Sequence, residues 1–137
     1  MTILTHLNYL SVAVSAVVYF AIGAIYFNPK VLGTTWMQGH ALSPPTEEEK
    51  KGMAKLMAIT FVYCLISCIG IGCLVKIIHP SSWMLGAKIG LLAGGFASVG
   101  IAVSHMYTRK SFSLALIDGG YHLLGSVIAA VIQTMWM

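Results

Sequence analysis

The stretch Ser111-Phe-Ser-Leu-Ala-Leu-Ile-Asp-Gly-Gly-Tyr-His-Leu-Leu-Gly125 places two ionisable side chains inside an apolar run that continues to Trp136. Asp118 is the only acidic residue outside the cluster at residues 47–49. It precedes His122 by four residues, so the two side chains share one face of a helix. Because an ionisable pair inside a membrane helix marks a functional site by default, the stretch predicts a polar centre within the bilayer.

The composition extends the membrane interpretation to the whole chain. The 137 residues are 58% hydrophobic and 9% charged, with a mean hydropathy of +0.84, whereas about a quarter of the residues in soluble domains are charged. A chain of this length holds four or five spans of about 20 residues and no separate soluble domain. The net charge is +4, but the basic residues are scattered between apolar runs, which argues against a nucleic-acid partner. The lipid bilayer is the expected partner.

Four apolar runs predict an all-α integral membrane protein, a bundle of four transmembrane helices forming a single domain over residues 1–137. The expected spans are residues 7–27, 56–75, 84–107 and 112–136. The loop at residues 28–55 includes a segment, residues 30–37, that is suited to the headgroup region. The Thr-x-x-Glu spacing at residues 46–49 predicts that the second helix begins there, outside the bilayer.

The basic residues set the expected orientation. Six of the eight Lys and Arg residues fall in the first and third loops, whereas the second loop and its flanks contain Lys76 and Lys88. Cytoplasmic loops carry an excess of Lys and Arg. We therefore expect the first and third loops in the cytoplasm and both termini outside.

Small residues mark two of the predicted helix surfaces. Gly86, Gly90 and Gly94 form a stripe on the third span that lets another helix approach closely, and we expect this stripe to join the protomers of a homo-oligomer. Three further glycines thin the fourth span beside the acid: Gly119, Gly120 and Gly125. Helix packing is the expected role of both sets, and lining of a passage is the alternative.

The polar centre is expected to combine Asp118 with residues of other spans. Asp118 lies roughly 10 Å below the cytoplasmic end of the fourth span, at 1.5 Å per residue. The tight turn at residues 108–110 makes the third and fourth spans an antiparallel hairpin, which brings His105 to the depth of Asp118. The predicted ligand- or proton-binding residues are Asp118, His122, His105, Tyr121 and Tyr26.

Two interpretations of this centre remain open. Histidine and buried acids respond to protons, which favours a proton- or cation-responsive transporter or channel that binds a small ligand or ion near Asp118. Alternatively, the Asp118 and His122 pair is a structural clasp, and the protein is a non-catalytic membrane assembly or interaction partner that uses its large loop for recognition.

Other kinds of site are disfavoured. One Asp with two His residues is a possible metal triad, but no ligand spacing is diagnostic, so no metal and no cofactor is expected. His6, His40 and His79 fall in different loops and are not expected to combine into one site. No nucleophile and base pair, GxSxG, HExxH or phosphate loop occurs, so an enzyme is not expected.

Several motifs occur together along the chain. They are Asn8-Tyr9-Leu10, Gly23-x-x-Tyr26-x-x-Pro29, Leu32-Gly33-x-x-Trp36 and Leu116-Ile117-Asp118-Gly119-Gly120-Tyr121-His122. In these motifs the chain resembles an uncharacterised bacterial family of four-span integral membrane proteins, domain of unknown function family 1761. The family usually has Trp where this chain has Ile25 and Phe where it has Leu32. The resemblance implies a four-helix fold in a bacterial cytoplasmic (inner) membrane and supplies no activity.

Overall fold

The computed structural model describes residues 3–136, so residues 1, 2 and 137 of the predicted domain lie outside the described residues. The described part is all-α, without strands. Its helices are α1 (Tyr9–Tyr26), α2 (Thr34–Gly39), α3 (Glu47–Ile78), α4 (Trp83–Tyr107) and α5 (Phe112–Met135). A 3-10 turn at Ile3–His6 precedes α1, and a π-helical turn at Pro29–Gly33 leads into α2. Helices α1, α3, α4 and α5 are long and apolar enough to cross a membrane, which confirms the predicted fold class.

Side-chain caps determine where the long helices begin. The side chains of Asn8, Ser82 and Ser111 each accept a hydrogen bond from a backbone N–H in the first turn of α1, α4 and α5. At α3, Thr46 and Glu49 form a complete capping box. The backbone N–H of Thr46 donates to the Glu49 carboxylate, which keeps the pKa of that carboxyl below its usual range.

Helix α5 lies at the centre of the bundle. It forms an antiparallel hairpin with α4 and also packs against α1 and α3. In its apolar window 39% of the residues are buried, against 22 to 28% in the other three long helices. Helices α3 and α4 touch each other much less than either touches α5, which leaves a cleft between them.

The glycine stripe of α4 makes the hairpin with α5 possible. A Cβ atom at Gly90 would lie 2.5 Å from Val127 Cα, and one at Gly94 would lie 2.7 Å from Leu123 Cα. A Cβ at Gly86 would also collide with an α5 side chain. The prediction that this stripe joins protomers is therefore wrong, because α5 of the same chain covers it. The homo-oligomer itself stays a prediction and needs a different surface.

The glycines of α5 make room for neighbouring helices. Gly119 faces α4, where the Ser98 hydroxyl donates to its carbonyl at 2.8 Å. A Cβ at Gly120 would lie 2.8 Å from the Tyr26 hydroxyl, and one at Gly125 would overlap the ring of Tyr19. These positions therefore allow α1 and α4 to pack closely against α5.

Uncharged hydrogen bonds close the bundle near the C-terminal end of α5. Gln133 Nε2 donates to the Cys68 carbonyl at 3.0 Å, and Asn8 Nδ2 donates to the Trp136 carbonyl at 2.9 Å. Gly72 on α3 leaves the space that the Gln133 amide occupies. We refer to Asn8, Gly72, Gln133 and Trp136 as the closed end.

Candidate functional site

Three ring nitrogens converge on the side chain of Asp118. Trp36 Nε1 donates to Oδ1 at 2.6 Å, and the Nε2 atoms of His40 and His105 lie 3.1 and 3.2 Å from Oδ2. The side chain of Asp118 is only 18% exposed, so these three rings replace most of the water around the carboxyl group. We call Asp118, Trp36, His40 and His105 the Asp118 cluster.

The α4–α5 hairpin places two members of the cluster. His105 lies in the last turn of α4, and Asp118 lies about two turns into α5. Between them Arg109 has a φ of 56°, and the Lys110 N–H donates to the His105 carbonyl at 2.9 Å. This short reversal brings the two side chains to the same depth, as the sequence indicated.

A turn after α1 places the other two members. The Asn28 side chain accepts from the Lys30 N–H at 2.9 Å, and the Asn28 carbonyl accepts from two further backbone N–H groups. The chain therefore turns back over the end of the bundle into α2. His40 is the C-cap of α2 and follows Trp36 by four residues, so the two rings lie on one side of this segment, and both contact Asp118.

His122 does not form a pair with Asp118. Its Nδ1 lies 3.0 Å from the hydroxyl of Tyr19, whose ring occupies the space beside Gly125. The predicted pair is thus two neighbouring polar groups: Asp118 faces α2 and α4, whereas His122 faces α1. Four residues are slightly more than one helical turn, so His122 is rotated around α5 and displaced along it relative to Asp118. It therefore meets a different neighbour.

The two tyrosines predicted for the site belong to an aromatic group beside it. The Tyr121 ring packs edge-on against Tyr19 and Phe27, and its hydroxyl lies 3.6 Å from Cys64 Sγ. Tyr26 packs over Gly120. Within residues 3–136 neither hydroxyl is hydrogen-bonded to Asp118.

Trp36 and His40 were not predicted as site residues. Trp36 is suited to a membrane-surface anchor, but its indole N–H points inward to Asp118 and its ring packs against Phe27. His40 was considered only together with His6 and His79; it lies beside Asp118 instead, because α2 folds back over the bundle. The spacing of Trp36 and His40 by four residues was the available signal, since it puts both rings on one helix face.

A cavity of about 500 Å³ opens beside the cluster, between α3 and α4. Asp118, His105 and His122 are among its polar lining residues. Its aromatic lining consists of Tyr19, Phe27, Trp36, Tyr63 and Tyr121. A second cavity of about 300 Å³ shares Tyr19 and His122 with the first and continues along α5. The two cavities form a cleft in the side of the bundle.

The cluster also has the composition of a metal site. His40, His105 and Asp118 each present one ligand atom, and these atoms lie within 4.8 Å of one another. Imidazole and carboxylate are common ligands of divalent transition metals.

The family model described as Protein of unknown function (DUF1761) matches residues 10–134. The chain belongs to this family. The matched region of this DUF1761 chain includes every member of the Asp118 cluster and nearly all of the four long helices. No curated protein and no solved structure matches the chain. The match confirms the family resemblance of the sequence motifs and, like them, supplies no activity.

Proposed function

We propose that this DUF1761 chain is a cation-responsive transporter or channel for a small solute in a bacterial inner membrane. A proton or metal cation binds at the Asp118 cluster, and the adjoining cavity holds the solute. One observation carries the proposal: the only acid outside residues 47–49, Asp118, lies against three ring nitrogens beside a cavity of about 500 Å³.

The energetic cost of an acid at this depth supports a functional role. A charged Asp at the centre of a membrane helix costs about 2.5–3.5 kcal/mol on insertion scales. The closed end joins helices with a neutral Gln133 amide instead, so the fold holds its helices together without that cost. Ionisable residues in membrane helices typically face a water-filled cavity or an ion pathway, and Asp118 faces a cavity.

The size and lining of the cavity support solute binding. Small-molecule sites in proteins typically measure about 300–1,000 Å³ and combine apolar walls with a few polar groups. Here aromatic rings form much of the wall, and Asp118, His105 and His122 supply polar groups. The cavity opens between α3 and α4, so a solute can reach it from the side of the bundle.

A non-catalytic assembly role is the second candidate function. It is favoured by the fact that the Asp118 cluster ties α2 to α4 and α5, which is what a structural clasp does. In that case the loop containing residues 47–55 recognises a partner. Loss of the Asp118 carboxyl group should abolish transport if the first candidate is correct, and should lower stability without affecting any flux if the second is correct.

Flux measurements separate the two functions. The purified chain is placed in liposomes that contain either a pH-sensitive or a zinc-sensitive dye, and an imposed proton or Zn²⁺ gradient is followed. We expect the chain to dissipate at least one gradient, and Asp118→Asn to return the rate to that of protein-free liposomes. Glu48→Gln, the same acid-to-amide change at an exposed position, should keep the full rate.

Two results would exclude transport of these cations. One is a wild-type chain that dissipates neither gradient; the other is an Asp118→Asn variant that transports as fast as the wild type. If the wild type dissipates neither gradient and Asp118→Asn shows a large loss of thermal stability, the clasp is established.

The same proposal includes an orientation with α2 on the cytoplasmic side and both termini outside. We expect Arg109→Cys to react with a membrane-impermeant thiol reagent only from the cytoplasmic side, and Ser81→Cys only from the opposite side. Labelling of Ser81→Cys from the cytoplasm would reverse the orientation. Both variants are made in a chain whose three native cysteines are replaced by alanine.

A further inference from the structure

We propose that the Asp118 cluster is a binding site for a divalent transition-metal ion. Its protein ligands are His40 Nε2, His105 Nε2 and a carboxylate oxygen of Asp118. The inference rests on the proposed function for its biological role, because it names the class of cation that the site takes. Binding itself is measurable in detergent, independently of transport.

The distances between the ligand atoms suit a small metal ion. The Nε2 atoms of His40 and His105 lie 3.1 and 3.2 Å from Asp118 Oδ2. Zinc binds histidine nitrogen at about 2.0–2.1 Å and carboxylate oxygen at about 2.0–2.2 Å, so the edges of its tetrahedron measure roughly 3.3–3.5 Å. These two ligand pairs are therefore within a few tenths of an ångström of the separation that a bound metal requires. In the metal-bound form each neutral imidazole carries its ring proton on Nδ1 and presents the Nε2 lone pair to the ion. The three ligand atoms lie within 4.8 Å of one another, so rotation of the two rings can bring all three onto one ion.

The ligand set selects a class of metal. Two imidazoles and one carboxylate are the ligands of zinc and of other first-row divalent metals such as cobalt, nickel and iron. Calcium and magnesium prefer all-oxygen sites, and the two nitrogen ligands make this site a poor one for them. Asp118 and His105 also line the cavity, so a water molecule or a solute can reach a fourth coordination position from there.

Trp36 has the role of an outer-shell residue in this site. Its indole N–H holds Oδ1 at 2.6 Å, which leaves Oδ2 directed at the two histidines. Hydrogen bonds of this kind orient the ligating atoms of metal sites, and their loss typically weakens metal binding about 10–100-fold. Trp36 is therefore a positioning residue whose removal should preserve the coordination geometry.

His105 is buried, with one of its two ring nitrogens facing Asp118. Its side chain is 11% exposed, and its Nδ1 is buried without a hydrogen-bond partner within the described part of the chain. Its Nε2 lies 3.2 Å from Asp118 Oδ2. A metal ion on Nε2 requires the ring proton to be on Nδ1, so metal binding places an N–H at this buried position.

Cobalt binding tests the site directly. Tag-free chain in detergent micelles is titrated with Co²⁺, whose visible absorption reports coordination geometry, and Zn²⁺ is then added as a competitor. We expect one Co²⁺ per chain with a tetrahedral spectrum that Zn²⁺ removes. His40→Ala, His105→Ala and Asp118→Asn should each weaken binding by more than the roughly 10–100-fold loss of an outer-shell contact. Trp36→Phe should weaken binding within that range and keep the tetrahedral spectrum.

Matched controls keep the result specific. His79→Ala removes an exposed histidine outside the site, and Glu48→Gln repeats the acid-to-amide change at an exposed position; both should bind Co²⁺ like the wild type. His40→Ala carries the most weight, because His40 follows the short α2 and lies outside the four long helices. An unchanged thermal midpoint without metal shows that this variant is folded.

The outcomes separate this inference from the proposed function. No Co²⁺ or Zn²⁺ binding by the wild type, or equal binding by the wild type and folded His40→Ala, would overturn the metal site. Proton flux in liposomes without any metal binding would overturn it as well and leave transport standing. Metal binding without flux would establish the site and remove transport.

Discussion

Along α5, Gln133 near the C-terminal end and Asp118 near the N-terminal end both carry polar side chains into the bundle, in different surroundings. Gln133 is 3% exposed and donates to one backbone carbonyl, beside a cavity of only about 90 Å³. Asp118 contacts three ring nitrogens from two other segments and lies beside a cavity of about 500 Å³. The closed end satisfies a neutral group inside packed helices, whereas the Asp118 cluster assembles an ionisable group next to open space.

The closed end has the features that stabilise a helix bundle, whereas the Asp118 cluster has the features of a binding site. Helices in a bilayer are held by close packing and by occasional hydrogen bonds of modest strength, and the closed end has both. A carboxylate adds no packing and has a cost of burial. The Trp36 N–H and the two imidazoles beside it offset part of that cost, and the cavity gives a ligand access.

The largest expected effect concerns the hairpin that supports both ends. Gly90→Leu forces a side chain into the backbone of α5 and should lower the free energy of unfolding by about 3 kcal/mol or more. Gly95→Leu is the matched control, because nothing lies within 4 Å of a Cβ there. Thermal unfolding in detergent measures both variants. Equal stability would mean that α4 and α5 do not approach as closely as described.

The second-largest effect on stability is expected at the closed end. Gln133→Leu keeps the side-chain volume but removes the hydrogen bond to Cys68, and should cost about 1 kcal/mol of stability. Its Co²⁺ affinity should equal that of the wild type. Asp118→Asn, in contrast, should lose its Co²⁺ affinity. If Gln133→Leu also lost Co²⁺ binding, the two ends would not be independent.

A smaller effect is expected at the boundary between site and packing. Tyr19→Phe removes the hydroxyl that lies 3.0 Å from His122 Nδ1 and should cost about 0.6 kcal/mol of stability, the average for a hydrogen bond between membrane helices. Because His122 is not a proposed ligand, Co²⁺ affinity should not change. A loss of affinity would bring His122 back into the metal site.

The smallest effect is expected outside the bilayer, at the start of α3. The pKa of Glu49 is lowered by the N–H of Thr46, so its contribution to stability is present above the ordinary carboxyl pKa. That contribution is lost as the pH falls through the lowered pKa. The difference in thermal midpoint between wild type and Glu49→Ala should therefore be constant near neutral pH and shrink below about pH 4.5. Glu48 makes no capping hydrogen bond in the described part of the chain, so Glu48→Ala should show no comparable change with pH.

The membrane class, the helical fold and the breaks between the helices could all be predicted from the amino-acid sequence. These depend on local properties: apolar runs long enough to span, capping residues such as Thr46 and Ser111, and the short turn before α5. The proximity of His105 and Asp118 also follows from the sequence, because a tight turn between antiparallel helices leaves little freedom in their register.

Which neighbour each helix face contacts could not be predicted, because it depends on tertiary packing. Helical periodicity puts Gly90 on a face but does not say whether α5 or another protomer covers it. It places His122 on the same side as Asp118 but does not say that Tyr19 contacts His122. His40 joins the cluster because the turn at Asn28 folds α2 back over the bundle, and that contact spans 78 positions of the chain. Such contacts depend on the packing of whole helices, which no local pattern of residues specifies.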